Sequence, residues 1–126
     1  MLINYRYTTE ALGKQYPRLR MKVKLNIAER LSIVDILPIQ GNYITIKTIN
    51  RLRDLLLPDS KEVKKYNLIQ EGNQIKWDSR YDNETKEYEL DEFECEIIKR
   101  QLIELDKSEK LTPNLIKLYE RFVKND

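Results

Sequence analysis

From Arg18 to Ile27, apolar and polar residues alternate without a break. Leu19, Met21, Val23, Leu25 and Ile27 fall on one side, and Arg18, Arg20, Lys22, Lys24 and Asn26 on the other. A period of two marks a strand with one buried and one wet face, so the pattern predicts a strand over 19–26. Asn26 followed by Glu29 is the spacing of a capping box, in which two side chains answer amides left open at a helix start. A helix is therefore expected over 27–37, with Pro38 ending it. Leu2–Tyr7 reads as one more strand. Met21 fits an internal start, so residues 1–20 are expected to be an N-terminal arm or appended strand, and 21–126 a single α+β domain.

Gln40-Gly41-Asn42 is a turn. Tyr43–Ile49 is rich in β-branched residues, yet Ile46, Ile49, Leu52 and Leu56 recur at helical spacing and predict a helix over 43–57, stopped by Pro58. Asp59 with Glu62 forms a second capping box and opens a short helix to Tyr66. Leu68–Glu71 and Gln74–Asp78 flank Gly72-Asn73, a turn suited to a hairpin, with Ile75 and Trp77 on one face expected in the core. A further strand is expected over Lys86–Leu90. Asp91 and Glu94 make a third capping box, opening a helix over 92–107. Its apolar stripe is Cys95, Ile98, Leu102 and Leu105, flanked by Phe93 and Ile97. Thr112 is read as the cap of a last helix over 113–124, with Pro113 at its first position and Leu115, Leu118, Tyr119, Phe122 and Val123 on its apolar face.

These elements predict an α+β fold. A small, mainly antiparallel sheet is built from the hairpin 68–78 and strand 86–90, with strand 19–26 as an optional member. Four to five helices pack on it, and the last two form a C-terminal helical hairpin.

Length and composition agree with one domain: 126 residues, 40% hydrophobic and 35% charged, with few Gly or Pro. No apolar run is long enough for a signal peptide core or a membrane span, so no membrane association is expected. A single cysteine, Cys95, fits a reducing cytoplasm. The chain has no histidine. That removes Ser-His, Cys-His and His-metal arrangements and the usual proton shuttle near neutral pH. No glycine-rich phosphate loop or EF-hand spacing is present. Cys95 sits between two glutamates on a core-facing stripe, where a thiolate is disfavoured. Carboxylate pairs such as Glu87/Glu89 would need a cleft and a raised pKa to catalyse. The expectation is a protein that is not an enzyme and holds no metal or cofactor.

Charge singles out two surfaces. Residues 1–66 carry 13 Lys/Arg against 6 Asp/Glu, whereas 67–126 carry 10 against 15. The basic candidates are Arg18, Arg20, Lys22 and Lys24 on the strand, with Arg6 and Lys14 near them in sequence. Lys61, Lys64 and Lys65 on the short helix join this set. Such a row suits phosphates or an acidic partner, although a solvated strand face guarded by cations reads the same way. The acidic and aromatic candidates are Tyr81, Glu84, Glu87, Tyr88 and Glu89; aromatic residues in charged surroundings anchor interfaces. Acids near Asp91 also simply suit a helix start.

The order helix, helix, short helix, hairpin over 27–78 matches a winged helix–turn–helix, which would set Lys61, Lys64 and Lys65 in a major groove. That helix is short, begins with acids, and lacks Asn, Gln or Arg placed for bidentate base reading. The leading expectation is a protein–protein interaction module whose partner is a second copy or another protein. A nucleic-acid-binding regulator is the alternative.

The stretches LSIVDILPIQGNYITIKTINRLRDLL, IKW and ELDEFECEIIKRQLIELDKSEKLTPNLIKLYERF resemble small uncharacterised proteins encoded by bacteriophages and prophages. The resemblance spans Met21–Val123. It implies an assembly subunit of a virion or an accessory protein directed at a host factor, and it carries no activity to any residue.

Overall fold

A computed structural model describes residues 3–6 and 18–124, with side chains described for 20–124. Strands β1 (Ile3–Arg6), β2 (Arg18–Asn26) and β5 (Thr85–Asp91) form an antiparallel sheet in the order β1–β2–β5. Helices α1 (Ile27–Ile36), α2 (Tyr43–Leu56), α3 (Ser60–Tyr66) and α4 (Glu92–Lys107) follow the predicted spans closely. The class is α+β, as the patterns require.

Two strands run into helices with no loop between. Asn26 ends β2 and caps α1; Asp91 ends β5 and caps α4. All three predicted capping boxes form, at Asn26/Glu29, Asp59/Glu62 and Asp91/Glu94. In each, the glutamate that answers the cap amide also holds an arginine from elsewhere in the chain. Glu29 meets Arg121 at 3.1 Å, Glu62 meets Arg30 at 2.7 Å, and Glu94 meets Arg51 at 3.2 Å. Helix initiation and tertiary docking are thus made by the same carboxylates.

The alternation in β2 works as read. Met21, Val23 and Leu25 point into the core with Tyr88 and Leu90 of β5, while Lys22 and Lys24 face solvent. Ile33 of α1, Ile49, Leu52 and Leu56 of α2, and Ile98 and Leu102 of α4 close over that face. Burying a side chain of this size stabilises by about 1.5–3 kcal/mol, so these residues carry the fold.

The hairpin forms at Gly72-Asn73 but does not join the main sheet. Among the described residues, strands β3 (Ile69–Glu71) and β4 (Gln74–Lys76) pair only with each other. Gly72 has φ +59°, which suits the first central position of a II′ turn. Both strands are exposed along their length, so Ile75 is a surface residue rather than core, and Trp77 is half-buried. Three-residue strands bury too little to dock themselves against the body.

The C-terminal segment is helical but not one regular helix. A 3-10 turn at Pro113–Leu115 leads into α5 (Ile116–Tyr119) and then a π-helical turn at Glu120–Lys124. Leu115, Leu118 and Phe122 reach the core as expected, and Tyr119 donates to Asp106 at 3.1 Å, folding the segment back on α4. Thr112 does not cap it: the hydroxyl donates to Asn114 instead. Phe93, read as flanking the core stripe of α4, is 66% exposed, although its neighbour Glu94 in the same turn is buried. Among the described residues no helix is long and apolar enough to cross a membrane.

Candidate functional site

The predicted basic and acidic surfaces meet on one face of the main sheet. In the β2–β5 register Arg20 lies opposite Asp91, Lys22 opposite Glu89 and Lys24 opposite Glu87. Directly opposed residues on an antiparallel pair bring their Cβ atoms within about 5 Å, so Lys22 and Lys24 each have a carboxylate for a neighbour, whereas Asp91 is held by Arg51 and Arg20 Nε is buried with no hydrogen-bond partner among the described residues. At these positions, cations of the basic half face carboxylates of the acidic half within the chain. Lys14 and the side chains of Arg6 and Arg18 lie outside the described residues.

The second basic set behaves differently along its length. Lys61, Lys64 and Lys65 are all exposed on α3. Lys65 is engaged: its Nζ lies 2.5 Å from Glu84 and over the rings of Tyr66 and Tyr81. Those rings pack at 5.2 Å between centroids. The neighbouring cations are answered too, Lys76 by Glu71 at 3.0 Å and Arg80 by Asp78 at 2.7 Å. Trp77 donates its indole N–H to Asp82 at 2.8 Å, which fixes the ring beside the hairpin.

Of the predicted acidic and aromatic set, Glu84, Glu87 and Glu89 lie at the surface to differing extents, and Tyr81 is half-buried on Tyr66. Tyr88 is a core residue, not an interface residue. It belongs to the inward-facing register of β5 with Leu90, and the Arg30 guanidinium lies 5.6 Å from its ring centre. Among the described residues its hydroxyl has no hydrogen-bond partner, and burial raises its pKa.

Arg30 is the charged residue that pattern reading passes over. It is 1% exposed, donates to the Leu56 carbonyl at 2.9 Å, and grips Glu62 with both terminal nitrogens. Burial opposes its charge, but the hydrogen bond to Glu62 and the nearby rings raise its pKa overall. The same bond is the main cause that holds Glu62 below the usual carboxylate range. Cys95 is pushed up to about 12, first by burial and then by Glu94, Asp91 and Glu96, so its thiol is protonated at neutral pH.

One surface went unread. Ile39, Tyr43 and Ile44 are 83%, 75% and 63% exposed, all within six residues around the α1–α2 turn. Beside them a shallow groove of about 360 Å³ is lined by Gly41, Asn42, Tyr43, Ile46, Lys47 and Asn50. A side chain at Gly41 would sit 2.7 Å from Thr45, so the turn closes tightly against α2. Lys47 lies 5.6 Å from the Tyr43 ring centre. A second groove, of about 550 Å³, runs between α1, the hairpin and the C-terminal segment, with Ser32, Asn73, Trp77 and Asn114 on its walls.

Comparison with protein-family models, with curated proteins and with solved structures finds no match for this chain.

Proposed function

We propose that this protein acts by binding another protein through the apolar patch at the start of α2. The observation that supports this reading is the exposure of Ile39, Tyr43 and Ile44 together at one turn. Single exposed apolar residues are ordinary; a cluster beside a groove is the mark of a contact surface. Lys47 and Arg53 of α2 outnumber its one acid, Asp54, while Arg51 is held by Asp91 and Glu94. The partner is accordingly an apolar surface with an acidic rim. On the phage-like reading that partner is a virion subunit or a host factor, met in a reducing cytoplasm where Cys95 stays a thiol.

Ile44→Asp and Tyr43→Glu test this directly. Both side chains are exposed, so the fold and melting temperature stay near the parent's while co-purification of a defined partner from the source cell is lost. Retention of the same partner by both variants would refute the reading. Sedimentation of the parent protein adds a further outcome: self-association abolished by Ile44→Asp would make the partner a second copy.

A second reading is nucleic-acid binding through α3 and the hairpin, favoured by one observation: Lys61 and Lys64 are exposed next to a hairpin that stands clear of the main sheet. Duplex-DNA anisotropy at low and near-physiological salt tests it. Binding that falls steeply with salt and is lost in Lys61→Glu/Lys64→Glu would support it. Flat anisotropy at both salts would remove it.

A further inference from the structure

Among the described residues β5 has a strand on one side only, because the main sheet runs β1–β2–β5. Among the described residues, no backbone outside β2 and α4 hydrogen-bonds to it; the Asp91 amide is taken by Glu94 in the capping box, which leaves an open edge over residues 85–90. An open edge is a template for another strand, and proteins guard such edges with charge. The guard here has one sign on the solvent face, Glu87 and Glu89. The molecule itself shows which strand answers it. β2 sets Lys24 opposite Glu87 and Lys22 opposite Glu89. Like charges placed opposite each other across a strand pair destabilise it, and unlike charges stabilise it. A second copy offering its own β5 would bring these glutamates against themselves. A strand carrying lysine or arginine at alternate positions meets no such penalty.

We infer that the open edge of β5 takes up an extended basic segment of a different protein as a fourth strand, with cations spaced two residues apart alongside Glu87 and Glu89. Main-chain hydrogen bonds supply the affinity and the alternate side chains the selectivity. The arrangement places one acidic strand between two basic ones. The site goes beyond the α2 patch and shares no residue with it.

The test uses the full chain and three labelled peptides followed by anisotropy at about 0.15 M salt. The first alternates lysine with threonine, the second has glutamate in place of lysine, and the third is the lysine peptide with alternate backbone amides methylated. The lysine peptide binds and slows amide exchange along β5; the glutamate peptide binds at least about tenfold more weakly. Methylation abolishes binding because it removes the pairing donors while keeping the charge. In Glu87→Gln, which introduces no repulsion toward Lys24, the lysine peptide weakens several-fold. Equal binding of the methylated and parent peptides would reduce the effect to charge attraction and overturn the inference, as would unchanged exchange along β5. Ile44→Asp binds the lysine peptide as the parent does, so failure at one surface is distinguishable from failure at the other.

Discussion

Arg30 donates both terminal guanidinium nitrogens to Glu62, at 2.7 and 3.0 Å, while Glu62 also accepts from the Asp59 amide at 3.2 Å. One carboxylate thus closes the first turn of α3 and fixes that helix to α1. The third contact, from Arg30 Nε to the Leu56 carbonyl, satisfies the end of α2.

Breaking that pair from one side leaves an uncompensated group. Arg30→Met strands Glu62 and the Leu56 carbonyl, and is expected to cost about 3–5 kcal/mol in urea unfolding. Arg30→Met combined with Glu62→Leu removes both charges and costs much less than the sum of the single changes. Additive losses in the double-mutant cycle would show that the pair is not coupled.

The pair also sets an acid limit. Glu62 titrates lower in the folded state than its ordinary value of 4.5, chiefly through the Arg30 hydrogen bond. Its contribution is complete above that ordinary value and is lost as pH falls through the depressed folded-state value. Unfolding free energy measured against pH should therefore drop in that acid window, and drop less in Glu62→Gln. Parallel curves for parent and variant would count against this assignment.

Tyr88→Phe removes a buried hydroxyl that has no partner among the described residues. Deleting an unsatisfied polar atom returns its desolvation cost, so the variant should match the parent or be up to about 1 kcal/mol more stable. The ring stays in place under Arg30. A clear loss in thermal or urea unfolding would show that the hydroxyl is bonded in solution.

Cys95, with its thiol at about 12, should resist alkylation at neutral pH in the native protein and react at once in denaturant. Native labelling at the rate of a free thiol would contradict the burial described. Timed mass spectrometry with iodoacetamide decides it.

What the chain shows in advance is local. Asn26, Asp59 and Asp91 stand three residues before a glutamate, and short-range chemistry of that kind carries through to the structure. The β2 alternation is legible for the same reason, since each residue's face follows from its neighbours. Placement in three dimensions is not local. Nothing in QEGNQIKW distinguishes a hairpin in the main sheet from one standing beside it, so Ile75 and Trp77 read as core. Arg30 reads as one more charge on a helix because its partners, Leu56 and Glu62, lie 26 and 32 residues away. The apolar patch was hidden for the opposite reason: Ile44 has the residue type of the core, and only packing shows that no helix covers it.

The three glutamates that serve both a helix start and a distant arginine change how the fold can come apart. Helix ends ordinarily fray one by one, on a local free-energy scale far below that of the whole domain. Here the first turns of α1, α3 and α4 are each tied to an arginine from another element, so opening a helix start also detaches its neighbour. Amides at these three N-termini should exchange with solvent as slowly as those of the core, which ties the beginnings of the helices to one cooperative transition.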